Sequence, residues 1–246
     1  MKKRGQITIF IIVGVVVIVS ILTVVFLRSG INSQTPKNLG PKQFIHGCVE
    51  DLVEGSLEKV LIGGGKISPE LTLQYLDESY NYLCYQGDNH LGCYNLYPLL
   101  EKLIAEEIEN DTKQQVGECF ELLEEDFSER GYSINNGSEN YSIELLPGKI
   151  KISLKKKIDI SKTGESQSFE NFDSEVLSPI YEMVGITRKI INDESTYCNF
   201  DYIYHMSLYP QDSIRRISYS GNKIYYILDR NSGKEFKFAI RGCTQN

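Results

Sequence analysis

Histidine is scarce in this chain. His46, His90 and His205 are all it has, and no two of them stand at a spacing that would offer both to one metal ion. No H-E-x-x-H, G-x-S-x-G or dinucleotide fingerprint occurs, so the sequence nominates no zinc protease, serine nucleophile elbow or nucleotide fold. Gly63-Gly64-Gly65-Lys66 is not a phosphate loop. That motif needs two glycines separated by four residues and then Lys followed by Ser or Thr, whereas Ile67 follows Lys66. The triplet reads instead as a helix stop with a flexible turn. C-x-x-C pairs are missing too, which leaves His90, between Cys84 and Cys93, without a zinc-binding frame. The expectation is a protein with no metal, no cofactor and no enzymatic activity.

Basic charge is also in short supply. Past Arg28 the chain carries 22 Lys and Arg against 33 Asp and Glu, a net of −11. This argues against nucleic acid or anionic lipid headgroups as partners, because both are bound through Lys and Arg. The acidity is uneven: residues 42–131 have a net charge of −13 and residues 132–246 of +1. The carboxylates Glu106, Glu107, Glu109, Glu124, Glu125 and Asp126 read as a solvated helix face, since nothing apolar in the pattern encloses them.

Long hydrophobic runs are confined to one. Ile7 to Leu27 holds only Thr8, Gly14, Ser20 and Thr23 among apolar side chains and no charge. At about 1.5 Å per residue it spans the roughly 30 Å hydrocarbon core of a bilayer. Lys2, Lys3 and Arg4 precede it and only Arg28 follows closely, so the positive-inside bias keeps the N-terminus in the cytoplasm and sends the rest outside. The run is longer than the core of a secretory signal and ends in "FLRSG", with no small-residue cleavage site, so it is expected to be retained as an anchor in the lipid bilayer.

The opening "KKRGQITIF" resembles the class III signal of archaeal type IV pilin-like proteins, in which basic residues and a small residue precede a cut on the cytoplasmic side of the apolar helix. The resemblance covers about the first 27 residues and implies cleavage between Gly5 and Gln6. It departs from the pilin pattern at Phe10, where many members have Glu.

"RSGINSQTPKNLGPKQ" follows, with Gly30, Pro36, Gly40 and Pro41 among polar residues. It reads as a tether over residues 29–43 rather than as a continued pilin stem. Beyond it, six cysteines, an even number, fall on the expected outer side, where disulfides persist. Six allow 15 pairings; those expected are Cys84 with Cys93, Cys48 with Cys119 and Cys198 with Cys243. Three glycosylation sequons start at Asn110, Asn136 and Asn140.

Apolar residues at steps of three and four predict one helix from Lys42 to the glycine triplet. A second, longer one runs from Pro98 to Gly131, with the polar "ENDTKQQ" as a place where it could split. Ser68-Pro69-Glu70 either caps a short helix through Leu83 or leads into extended chain. Tyr80, Tyr82, Tyr85, Tyr94 and Tyr97 surround the expected Cys84–Cys93 loop, as a recognition surface or a small local core. "CVEDLVEGSLEKVLIGGGKI", "NLYPLLEKLIAEEI" and "GECFELL" resemble a group of uncharacterised archaeal membrane-anchored proteins that share this helical, cysteine-containing region. The likeness covers residues 44–127 and implies no known activity.

From Tyr132 the pattern alternates. A hairpin turning at Pro147-Gly148 is expected, with a bulge or exposed end at Lys155, Lys156 and Lys157. A helix candidate over Phe169–Asn192, interrupted near Pro179, comes next. Three strands with turns at Gly221-Asn222 and Ser232-Gly233 close the chain.

The expected architecture is therefore an anchor (1–28), a tether (29–43), a helical acidic subdomain (44–131) and a strand-rich subdomain (132–246). The fold class is α+β, with the helices packed on a mainly antiparallel sheet. The expected role is a structural or binding one, as a single-pass extracytoplasmic envelope protein that meets other envelope proteins. The alternatives are a pilin-like filament subunit that meets its own kind and an extracytoplasmic enzyme of unknown reaction.

Overall fold

The computed structural model describes residues 40–88 and 91–242. The apolar run, Gly5 and Gln6, most of the tether, His90 and Cys243 lie outside these residues. No helix among the described residues is long and apolar enough to cross a membrane. From Pro41 onward the chain is one compact unit, of class α+β.

Helix α1 is Pro41–Ile62, so the end of the expected tether is already helical. Proline suits that first helical position, where its missing N–H would have no partner anyway. The stripe Ile45, Val49, Val53, Leu57, Val60 and Leu61 is buried, as helical periodicity requires. Helix α2, Leu100–Glu129, is a single helix of 30 residues, unbroken at "ENDTKQQ". Its polar middle survives because Thr112 turns inward, donates to the Ile108 carbonyl at 2.7 Å and shares a hydrogen bond with the Tyr141 hydroxyl at 2.8 Å. The Cys48–Cys119 disulfide, with Cα atoms 6.1 Å apart, ties α1 to α2.

The glycine triplet after α1 is a packed corner rather than a flexible turn. Gly63 and Gly65 donate their N–H groups to Lys59 and Val60 of the last helical turn at 2.8 and 2.9 Å. Gly64 has φ +61°, and a Cβ there would come within 2.8 Å of the Lys237 carbonyl oxygen. Only glycine lets α1 approach the sheet this closely.

The first sheet contains β1 (Thr72–Tyr75), β2 (Glu78–Tyr85), β3 (Tyr94–Asn95), β8 (Asp212–Tyr219), β9 (Asn222–Asp229) and β10 (Glu235–Arg241). Its order is β1-β2-β10-β9-β8, with β3 beside β2. All pairings are antiparallel except β2 with β10, which stand far apart in sequence. Of the two readings of residues 68–83, the extended one holds. The second sheet contains β4 (Ser133–Leu146), β5 (Lys149–Lys162), β6 (Glu165–Asn171) and β7 (Ser174–Leu177), with β5 at its centre. The register slips between Asn136 and Glu139 and again between Lys155 and Ile158. Lys155–Lys157 thus form the bulge, and Lys156 lies 4.3 Å over the Phe120 ring.

One correction concerns the helix candidate that began at Phe169. Residues 169–171 belong to strand β6 and 174–177 to β7, and helix α3 starts only at Ile180 and runs to Tyr197. The long strand β5 offers an unpaired edge, and pairing with it satisfies the backbone of this polar stretch. A short helix, α4 (Tyr202–Leu208), was not expected at all. Its first turn is capped by Asp201, which accepts from Tyr204 N–H at 2.9 Å.

One continuous core joins the inner faces of both sheets to α1, α2 and α3, with Leu83, Leu123, Ile152, Met183, Tyr225 and Phe238 among its members. The outer face of the first sheet carries a separate small core of Leu73, Tyr80, Tyr82, Ile224, Tyr226 and Ala239.

Candidate functional site

The expected site residues are dispersed. Cys84 is bonded to Cys93, with Cα atoms 5.4 Å apart, and Cys198 is also in a disulfide; its expected partner, Cys243, lies outside the described residues. Asn110 on α2 and Asn140 on β4 are exposed, while Asn136 falls within β4. The hydroxyl of the first sequon, that of Thr112, is buried.

The tyrosine cluster mostly packs. Tyr80 and Tyr82 are buried in the outer core, whereas Tyr94 is exposed. Tyr80 donates to Glu78 and meets the Tyr226 hydroxyl, both at 2.6 Å. Tyr82 donates to Asn222 at 2.8 Å. The Lys237 ammonium and the Tyr80 hydroxyl hold the Glu78 carboxyl below its ordinary range, and burial pushes the Tyr80 hydroxyl up. The guanidinium of Arg215 lies 3.8 Å over the Tyr226 ring. These contacts use most of the polar capacity of this face.

A second polar cluster lies inside the main core. Glu194, near the end of α3, is buried and accepts from Lys223 and from the Tyr225 hydroxyl, with Arg216 at 3.7 Å. Lys223 also donates to the Cys198 carbonyl at 2.7 Å. Burial, and then the charge of Glu194, push the Tyr225 hydroxyl up. The cluster fastens α3 to β9.

A roomy concavity among the described residues has a volume of about 690 Å³ and lies where β7, α3, α4, β8 and β9 meet. Its floor and walls are apolar: Leu177 and Pro179 from the β7–α3 corner, Met183 and Ile186 on α3, Tyr209 after α4, and Ile227 on β9. The hairpin turn between β4 and β5 closes one side. Gly148 N–H donates to Glu182 at 2.9 Å, and the Gly148 carbonyl accepts from Ser178 N–H at 3.0 Å. Opposite, Asp229 accepts from Ser232 N–H at 2.8 Å and so shapes the β9–β10 turn.

His205 also lines the pocket. It is 5% exposed, and its ring sits between Phe200 and Tyr209, with centroids 5.8 and 4.9 Å away. Its Nε2 is 2.9 Å from an Asp212 carboxylate oxygen, while Nδ1 is buried and has no hydrogen-bond partner among the described residues. A carboxylate accepts, so of the two neutral tautomers it selects the one with the proton on Nε2, which leaves the lone pair on Nδ1. The two serines in the lining serve local turns: Ser178 Oγ accepts from Ile180 N–H at 3.2 Å and Ser232 Oγ from Lys234 N–H at 3.3 Å. The arrangement is that of a binding pocket, with an apolar body and a few placed polar groups.

Sequence reasoning did not assemble this site. Its lining comes from short pieces between Gly148 and Ser232. The one local signal was Asp201 ahead of the apolar "YIYHMSLY", a capping residue before a helix. Compared with protein-family models, curated proteins and solved structures, the chain matches none of them.

Proposed function

We propose that this chain is a single-pass, membrane-anchored extracytoplasmic protein whose folded part binds a small ligand in the pocket between β7, α3, α4 and β9. The run Ile7–Leu27 is the anchor, and the residues between it and Pro41 set the reach of the domain from the bilayer. The observation that carries this reading is oxidation: Cys48, Cys84, Cys93, Cys119 and Cys198 are all in disulfides, a state that persists outside the reducing cytosol. The pocket supports binding through its apolar lining of Leu177, Met183, Ile186 and Ile227 with a few placed polar groups.

The test is fractionation of producing cells, followed by protease treatment from outside and maleimide labelling before and after reduction. The chain is expected in the membrane fraction, resistant to alkaline extraction, digested from outside, and unlabelled until reduced. Recovery of a soluble cytosolic chain with reactive thiols would overturn the reading. The "KKRGQITIF" motif favours a second reading, a pilin-like subunit cleaved after Gly5. Edman sequencing that starts at Gln6 would support that processing, and an intact Met1 would exclude it.

A further inference from the structure

Apolar pockets select by the few charges they keep, and in this one the balance is negative. Glu182, Asp212 and Asp229 line the pocket against a single fixed cation, Lys189. Each carboxylate spends one oxygen locally: Glu182 on Gly148 N–H, Asp229 on Ser232 N–H and Asp212 on His205. The second oxygen of each makes no hydrogen bond among the described residues.

His205 is an independent observation pointing the same way. It is more than nine-tenths buried and its Nδ1 lacks a donor. In the neutral ring, whose proton Asp212 holds on Nε2, Nδ1 accepts a hydrogen bond and offers none. Tyr209, which packs against the imidazole at 4.9 Å and is 46% exposed, lines the same pocket. A bound anion would meet three carboxylates and a lone pair. A neutral apolar molecule would fill the cavity and leave Nδ1 unpaired at a cost. A group that is both cationic and an N–H donor answers the carboxylates and the imidazole together.

We infer that the pocket binds a small amphiphilic amine, a molecule with an apolar body lying against Met183, Ile186 and Ile227 and a protonated primary amine directed at Asp229, Glu182 and His205 Nδ1. This rests on the reading of the pocket as a binding site and adds the class of ligand. The volume of about 690 Å³ falls within the range of small-molecule sites, roughly 300 to 1,000 Å³.

The test uses the full chain in detergent micelles with methyl-labelled methionine. The sequence has only three methionines, and Met183 lines the pocket, so its methyl resonance reports occupancy. Four water-soluble probes of similar body are titrated: 2-phenylethylamine, its N,N,N-trimethyl analogue, 2-phenylethanol and 3-phenylpropionate. The primary amine is expected to shift Met183 saturably, and more tightly than the trimethylammonium probe, which has no N–H for His205. The propionate is expected to leave the resonance in place. E182Q/D229N keeps both turn hydrogen bonds through the amide oxygens, and should weaken the amine by roughly tenfold while leaving 2-phenylethanol unchanged. Equal binding of amine and propionate, or an amine affinity unmoved by E182Q/D229N, would overturn the ligand class. Binding of 2-phenylethanol in that case would leave the pocket itself standing as a site. Silence of Met183 toward all four probes would sink both the ligand and the pocket.

Discussion

Cys48 and Cys119 are bonded across the α1–α2 pair, 71 residues apart in sequence, whereas Cys84 and Cys93 close a separation of nine. The longer loop removes more freedom from the unfolded chain. In the chain-entropy account, C48A/C119A should lower stability by about 4 kcal/mol and C84A/C93A by about 2.5 kcal/mol. Urea midpoints of the two double variants, measured on the full chain in detergent, check the order. A larger loss for the short loop would contradict it.

Lys223 and Lys59 both pair with carboxylates, in opposite surroundings. The Lys223 and Glu194 side chains are 11% and 1% exposed, against 53% and 22% for Lys59 and Asp111. K223M takes the nearest cation from buried Glu194 and leaves it to Tyr225 and Arg216, so it should cost about 3 kcal/mol, the low end for a broken buried pair. K59M should cost about 1 kcal/mol or less. E194M/K223M, which removes both charges, should recover part of the K223M loss in the same unfolding measurement.

Alkaline pH should destabilise the fold through its buried tyrosines. Burial, opposed by the Thr112 hydrogen bond and reinforced by Glu109 and Glu139, pushes the Tyr141 hydroxyl up to about 12; Tyr80 and Tyr225 are also raised. An unfolded tyrosine ionises near about pH 10. The folded state therefore keeps protons that the unfolded state releases. The contribution is whole below about pH 10 and is lost as pH rises from there through the folded value. Tyr141→Phe should make the alkaline fall in stability shallower. Tyrosinate absorbance, which no tryptophan obscures because the chain has none, follows the titration directly.

Gly64→Ala tests the packed corner. Its φ of +61° and the 2.8 Å approach to the Lys237 carbonyl add strain to a steric clash, so a loss of at least about 1–2 kcal/mol is expected. Gly87→Ala, with nothing within 4 Å of the added carbon, should stay within about 0.5 kcal/mol of the parent. Thermal unfolding of both variants is the comparison.

The two long helices were legible because their buried stripes repeat within one segment. In α1 and α2 each inward residue predicts the next, and burial of that face dominates helix stability. The hairpin at Pro147-Gly148 was legible for a similar reason, as alternation over β4 and β5 needs only a local turn. The stretch from Phe169 to Leu177 was not. β6 is exposed along nearly its whole length, so it carries no apolar period, and what makes it a strand is the edge of β5.

The same distinction separates what the sequence by itself determined from what tertiary structure decided. Composition and local periodicity determined the α+β class, the helix faces, the chemistry available and the apolar run near the start, since each depends on residues close together in the chain. Tertiary structure decided that Cys48 reaches Cys119, that a glycine corner packs against β10, and that Gly148, Met183, His205 and Asp229 line one cavity. Those are contacts between distant segments. Their energies depend on how whole elements pack, and no short stretch of sequence encodes that packing alone.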